Sequence, residues 1–371
     1  MEDVTNDKFK NCEILSLPKE FFVANQKNFL DHLKKLLPNY ERSSILLLKS
    51  GSHIYRYNTD VLLNNFLQES NFYYLSGVKE PDTLLLVDLN SEKFKLFLKF
   101  PNDDYKIWNY TPTLEEIEQK YGLETKYLTQ LFETVNNINP TKIFYLEGSN
   151  TDTGVSYSKP SIDWPENLKG KVESSSILYE ILATSRVRKT KEELEIIKYI
   201  CDFTCNAHLD VFTMKKNNKY EREIESYFMD YCAQRFHTRF WSYPLCVMSG
   251  ENSAILNYIE NNKIMKDGEL VLYSLGINFC GYNLDVTTTI PVNGKFSKSQ
   301  KEIYDIIIIA LEEIEKNVKP GIYWPDMQTL AERIIITELK RLKILNEYNM
   351  DEMLINRVCY YFMPHGIGQG I

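Results

Sequence analysis

The sequence predicts an α/β layered fold for its first half, and two observations carry that expectation. Four short runs read as strands: SILLLK at 44–49 and TLLLV at 83–87 are continuously apolar, KFKLFLK at 93–99 alternates, and KIFYL lies at 142–146. Segments with helical spacing fall between them, at 113–121 and 127–136. Strands that alternate with helices call for a sheet covered by helical layers.

Each further element follows in order. An amphipathic helix over 21–37 ends at Pro38, since proline cannot continue it. After about residue 183 the pattern changes. Thr190 and Glu193 form a capping-box pair that opens a long amphipathic helix within 179–215. A second helix is expected over 221–234, then strands around 242–249 and 270–291, and a helix over 299–318. Gly321 and Pro325 are expected to break the pattern before a last helix at 327–342. The apolar run at 306–311 is too short to span a bilayer and predicts a buried helix segment.

With 371 residues, 43% of them hydrophobic, the chain can build two or three domains with ordinary cores. A net charge of −8 argues against nucleic acid or an anionic membrane as partner. The opening MEDVTNDKFKNCE is charged and lacks the apolar centre of a signal peptide, which points to the cytoplasm. Seven cysteines without a CxxC pair do not read as a disulfide framework. Cys201, Cys205 and His208 stand at i, i+4 and i+7 of a predicted helix. A metal site is conceivable there, but the preference of cysteine for burial favours a packing face.

The stretch 270–296 predicts a hairpin whose reversal runs from Gly276 to Gly281. Its second strand, YNLDVTTTI, is rich in β-branched residues and carries Asp285 in its middle. A carboxylate buried in a strand needs a partner. Either a metal ion or hydrogen bonds from Thr287 and backbone N–H groups would serve.

Several stretches resemble one family, in that family's order. RYNTDVLLNNFLQESNFYYLSGVKEPD (56–82) is similar to the aminopeptidase P N-terminal domain. EGSNTDTG (147–154), the LATSRVRKTKEELE junction, SGENSA (249–254), PVNGKFS (291–297), KPGIYWPDM (319–327) and FMPHGIG (362–368) resemble prolidase. The resemblance implies an α/β N-terminal domain over 1–183 and an α+β pita-bread peptidase domain over 184–371 that lacks its last strands. It further implies a homodimer, two Mn²⁺ ions, and hydrolysis of dipeptides ending in proline by a metal-bridged hydroxide. An exposed sheet edge and exposed apolar surface are expected if the last strands are missing.

Carried over position by position, the resemblance implies two aspartates, one histidine and two glutamates as metal ligands. The first aspartate position is Ser274, and Asp285, eleven positions on, is the second. The histidine ligand ends an HGxGH motif, where HGIGQ has Gln369. Both glutamates would lie on strands past Ile371. Asn257 stands where the family has a substrate-contacting histidine, the residue that metal-free, creatinase-like relatives use for hydrolysis. Tyr243 and His365 match pocket positions, and Trp108 matches a region that reaches the partner subunit's site. Four of five ligand positions are therefore substituted or missing. The expectation is a catalytically impaired prolidase-family protein that retains a binding or dimerisation role. The alternatives are an active Mn²⁺-dependent Xaa-Pro dipeptidase and a non-functional fragment.

Overall fold

The protein is described by a computed structural model covering residues 9, 11–12, 16–38, 42–99, 103–108, 110–157, 159–346 and 348–368. It divides into two compact units. The first holds residues 1–207, 230–243 and 276–284, and the second holds 208–229, 244–275 and 285–371.

The first unit is built on a six-stranded mixed sheet. Its strands are β1 (Ser44–Lys49), β2 (Leu84–Asp88), β3 (Lys93–Leu98), β4 (Glu124–Tyr127), β5 (Lys142–Leu146) and β6 (Val172–Ser175), in the order β4-β3-β2-β1-β5-β6. Side chains alternate between faces, so an unbroken apolar run implies cover on both sides. Leu46, Leu48, Leu85 and Val87 pack against the helices Lys19–Leu36, Leu114–Tyr121 and Ser176–Val187. Ile45, Leu47, Leu84 and Leu86 pack on the opposite face, with Leu131, Val135, Trp164 and Leu168. The four strands expected from sequence are all present. β4 and β6 are additions, because ETKY and VESS carry too little apolar pattern to announce a strand.

The helix starts follow the capping chemistry. The Thr190 backbone N–H donates to Glu193 Oε2 at 2.7 Å, and the Glu193 N–H donates to Thr190 Oγ1 at 3.2 Å, opening the helix Lys191–Thr213. The helices Glu221–Phe236 and Lys298–Asn317 fall where expected. Pro325 does not break a helix as expected. It sits in the first turn of Trp324–Arg341, where the N–H that proline lacks would have no partner anyway.

In the second half the strands are β7 (Phe240–Trp241), β8 (Cys246–Ser249), β9 (Leu270–Ser274), β10 (Ile277–Phe279), β11 (Tyr282–Asn283) and β12 (Thr287–Pro291). In the first unit they form the small sheet β11-β10-β7, and in the second the sheet β12-β9-β8. The second unit's helical core joins Ile306, Ala310, Ile335, Ile336, Leu339, Met353 and Cys359. The run at 306–311 is therefore only half buried. Ile306 and Ala310, one turn apart, face the core, while Ile307, Ile309 and Leu311 are exposed.

The cysteine-bearing helix also differs from expectation. Its buried face carries Ile196, Ile200, Thr204, Ala207, His208 and Val211. Cys201 is half-buried and Cys205 exposed, so the two thiols flank that face instead of forming it. All seven cysteines are free thiols. Among the described residues no helix is long and apolar enough to cross a membrane.

Candidate functional site: a hairpin and the loop beside it

The reversal of the hairpin is tighter than the sequence suggested. β10 and β11 pair Phe279 with Tyr282, leaving only Cys280 and Gly281 in the turn. Both have positive φ, +49° and +81°, the backbone that a two-residue hairpin turn demands. Gly276 has a separate task at the bend between β9 and β10. A Cβ there would lie 2.2 Å from the Leu284 carbonyl oxygen and 3.0 Å from the Tyr243 ring. Only glycine lets the backbone here approach the segment after β11 so closely.

β9 is the middle strand of its sheet, so Ser274 has a neighbour on each side. It pairs with Cys246 of β8 and with Thr287 of β12. Residues directly opposite one another point to the same face. Cys246, Ser274 and Thr287 thus make one row of neutral side chains, with Thr287 Oγ1 donating to Ser274 Oγ at 3.1 Å.

Asp285 is not in that row. It lies before the start of β12, outside any strand, and is exposed. The ladder continues past it through Leu275 N–H to the Val286 carbonyl, 3.0 Å. The expectation of a carboxylate buried in mid-strand is corrected, because residues 284–286 between β11 and β12 belong to no strand and Asp285 is exposed. The Thr287 hydroxyl offered as its donor goes to Ser274 instead.

The opposite face of the sheet is pinned by His208. Its Nε2 lies 2.9 Å from the Leu275 carbonyl, which can only accept, so Nε2 carries the proton. Nδ1 then accepts from the Thr288 hydroxyl at 3.1 Å. Burial pushes the imidazole's pKa below its ordinary value, against the opposing pull of the Leu275 carbonyl and Asp285. His208 fixes the residue that follows Ser274. The sequence signal for this role, one histidine on an apolar helix face, was too general to find it.

Next to this sheet, the SGENSA loop is organised by a residue that sequence reasoning missed. Glu221 is fully buried at the start of its helix. Its Oε1 accepts from Ser249 N (2.6 Å), Ser249 Oγ (2.8 Å) and Asn252 Nδ2 (3.3 Å). Its Oε2 accepts from Tyr258 Oη (2.8 Å) and Lys263 N (3.0 Å). Five donors and a helix N-terminus make a buried carboxylate tolerable. Asn261, also fully buried, donates to Glu225 Oε2 and the Leu245 carbonyl and accepts from Val247 N.

The remaining candidates are placed as follows. Asn257 is exposed, on the segment between the Glu221 ligands Asn252 and Tyr258. His365 is exposed, with Nδ1 2.9 Å from the Gly366 carbonyl. Tyr243, in the first unit, is half-buried against Gly276. Trp108, in the same unit, is 80% exposed, beside the equally exposed Ile107 and Tyr110. Gln369 lies outside the described residues.

The described donors at the hairpin do not by themselves fit a pair of divalent cations. Such ions need several hard anionic oxygens. The row at Ser274 offers two hydroxyls and a thiol, and Asp285 supplies one carboxylate. Among the described residues no three His, Cys, Asp or Glu side chains group to hold a metal ion.

Comparison with known proteins gives consistent matches. The profile of metallopeptidase family M24 matches residues 195–371, and that of the aminopeptidase P N-terminal domain matches residues 22–145. The Xaa-Pro dipeptidase of Mus musculus is 32% identical over 362 residues, 96% of this chain and 72% of its own length. The human Xaa-Pro dipeptidase is 31% identical over the same span. Among solved structures, the Pseudomonas aeruginosa aminopeptidase PepP superposes with a TM-score of 0.81 at 22% identity, covering 94% of this chain and 78% of that one.

Proposed function

The chain belongs to metallopeptidase family M24, on its prolidase and aminopeptidase P side, and from that premise we propose that its own metal chemistry is impaired. One observation carries the reading: the neutral row Cys246, Ser274 and Thr287, with Asp285 outside the strand. Two Mn²⁺ ions bring four positive charges, and of the two matched hairpin positions only Asp285 is a carboxylate. Loss of a group that merely orients a ligand already costs ~10–100-fold in metal affinity. Asn257 and Gln369, at the two histidine positions, point the same way.

In this reading the protein is a cytoplasmic homodimer, with the aminopeptidase P N-terminal domain over 1–183 and the pita-bread domain from 184. Tyr243 and His365 shape what remains of a pocket for proline-containing peptides, and the exposed Trp108 reaches the partner. The reading is tested by incubating the purified chain with Mn²⁺ and Gly-Pro. No metal-dependent hydrolysis is expected, and robust turnover would overturn it. A second reading, an active Mn²⁺-dependent Xaa-Pro dipeptidase, is favoured by the identity to the mouse enzyme. It requires two bound ions held by ligands other than Ser274 and Gln369.

A further inference from the structure

Cys201 and Cys205 stand one turn apart on the helix Lys191–Thr213, with Cys205 exposed and Cys201 half-buried. Burial and, after it, the neighbouring Cys205 push the Cys201 thiol's pKa up, which places the two side chains near one another. Helical residues at i and i+4 have Cβ atoms roughly 5–6 Å apart. A disulfide needs Cβ atoms about 3.8 Å apart, so this pair cannot oxidise to itself without unwinding the helix. A metal ion between two sulfurs has no such difficulty. With metal–sulfur bonds of about 2.3 Å, a linear bridge sets the sulfurs roughly 4.6 Å apart, which the helical spacing accommodates.

We propose that Cys201 and Cys205 form a two-coordinate site for a soft monovalent cation, of which Cu⁺ is the example. Soft thiolates select Cu⁺ over hard ions such as Mn²⁺, Mg²⁺ and Ca²⁺. Among the described residues no third His, Cys, Asp or Glu side chain groups with the pair to complete a tetrahedral site. His208, one turn further on, is held by the Leu275 carbonyl and the Thr288 hydroxyl. Asp202 is engaged by Lys198 at 2.8 Å. Zn²⁺, which asks for four ligands in a structural site, is therefore excluded here. Binding releases the two S–H protons to solvent and forms two S–Cu bonds, with no change of oxidation state. The other thiols, Cys12, Cys232, Cys246, Cys280 and Cys359, are buried.

The test is a titration of the reduced, full-length protein with Cu⁺ against a chromophoric chelator. About one ion per chain is expected to be withdrawn from the chelator, consistent with a single dithiolate site. Cys205→Ser and Cys201→Ser should each lower the apparent affinity at least tenfold, whereas Cys232→Ser and Cys246→Ser should leave it unchanged. Cys205 is exposed, so its serine variant is expected to keep the wild-type unfolding midpoint without copper. Cu⁺ should raise that midpoint in the wild type and not in the variant. No binding by the wild type would overturn the proposal. So would binding that survives Cys205→Ser, which would place the ion on the buried thiols.

Discussion

Two neighbouring parts of the second unit handle polar groups in opposite ways. Around Glu221 a fully buried carboxylate receives five hydrogen bonds, and every donor comes from the loop or strand it holds. Around Ser274 the cross-strand neighbours are neutral, and the nearby carboxylate Asp285 is turned out to solvent. The first region resists change, because each lost acceptor would strand a buried donor. The second tolerates it better, because its paired side chains are neutral.

Glu221→Ala should have the largest effect. It leaves the Ser249 and Lys263 amides without their acceptor, at roughly 1–3 kcal/mol for each buried group. A loss of about 3 kcal/mol or more is expected in urea unfolding. A loss under about 1 kcal/mol would mean that water replaces the carboxylate and that the contrast between the regions is false.

Gly276→Ala should come next. The new Cβ meets backbone, the Leu284 carbonyl at 2.2 Å, and backbone cannot swing aside. Strain of this kind typically costs ~1–3 kcal/mol. A neutral result would show that the bend opens freely and does not depend on close approach.

His208 links the contrast to pH. Its folded-state pKa is depressed, so between that value and the ordinary 6.5 the unfolded chain binds more protons. Stability should be unaffected by this group above 6.5 and fall as the pH drops through and below it. His208→Asn should flatten that acid slope while lowering stability at pH 8 by about 1 kcal/mol. An unchanged slope in the variant would remove His208 from the account.

The smallest effect belongs to the candidate site itself. Ser274→Ala deletes the exposed hydrogen bond from Thr287 and should change stability by less than about 0.5 kcal/mol. A loss comparable to that of Glu221→Ala would mean that Ser274 holds the sheet together.

Much of the architecture was readable in the sequence for a physical reason. Unbroken apolar runs such as SILLLK form two-sided strands, and the Thr190–Glu193 pair starts a helix through local chemistry alone. The hairpin was readable as well, since β9 and β12 pair antiparallel. What escaped was set by contacts distant in sequence. Asp285 lies outside any strand, and Gly276 meets Leu284, through packing that nothing local in YNLDVTTTI encodes. Pro325 carries the same residue type whether it breaks a helix or opens one. Glu221 looks like any first-turn acid until its partners, up to 42 residues away, are brought to it.

The central claim is most directly tested by counting metal. The purified chain would be equilibrated with Mn²⁺, freed of unbound ions, and assayed for manganese per folded chain. Essentially none is expected. About two ions per chain, as a working dinuclear site would hold, would contradict it and restore the dipeptidase reading.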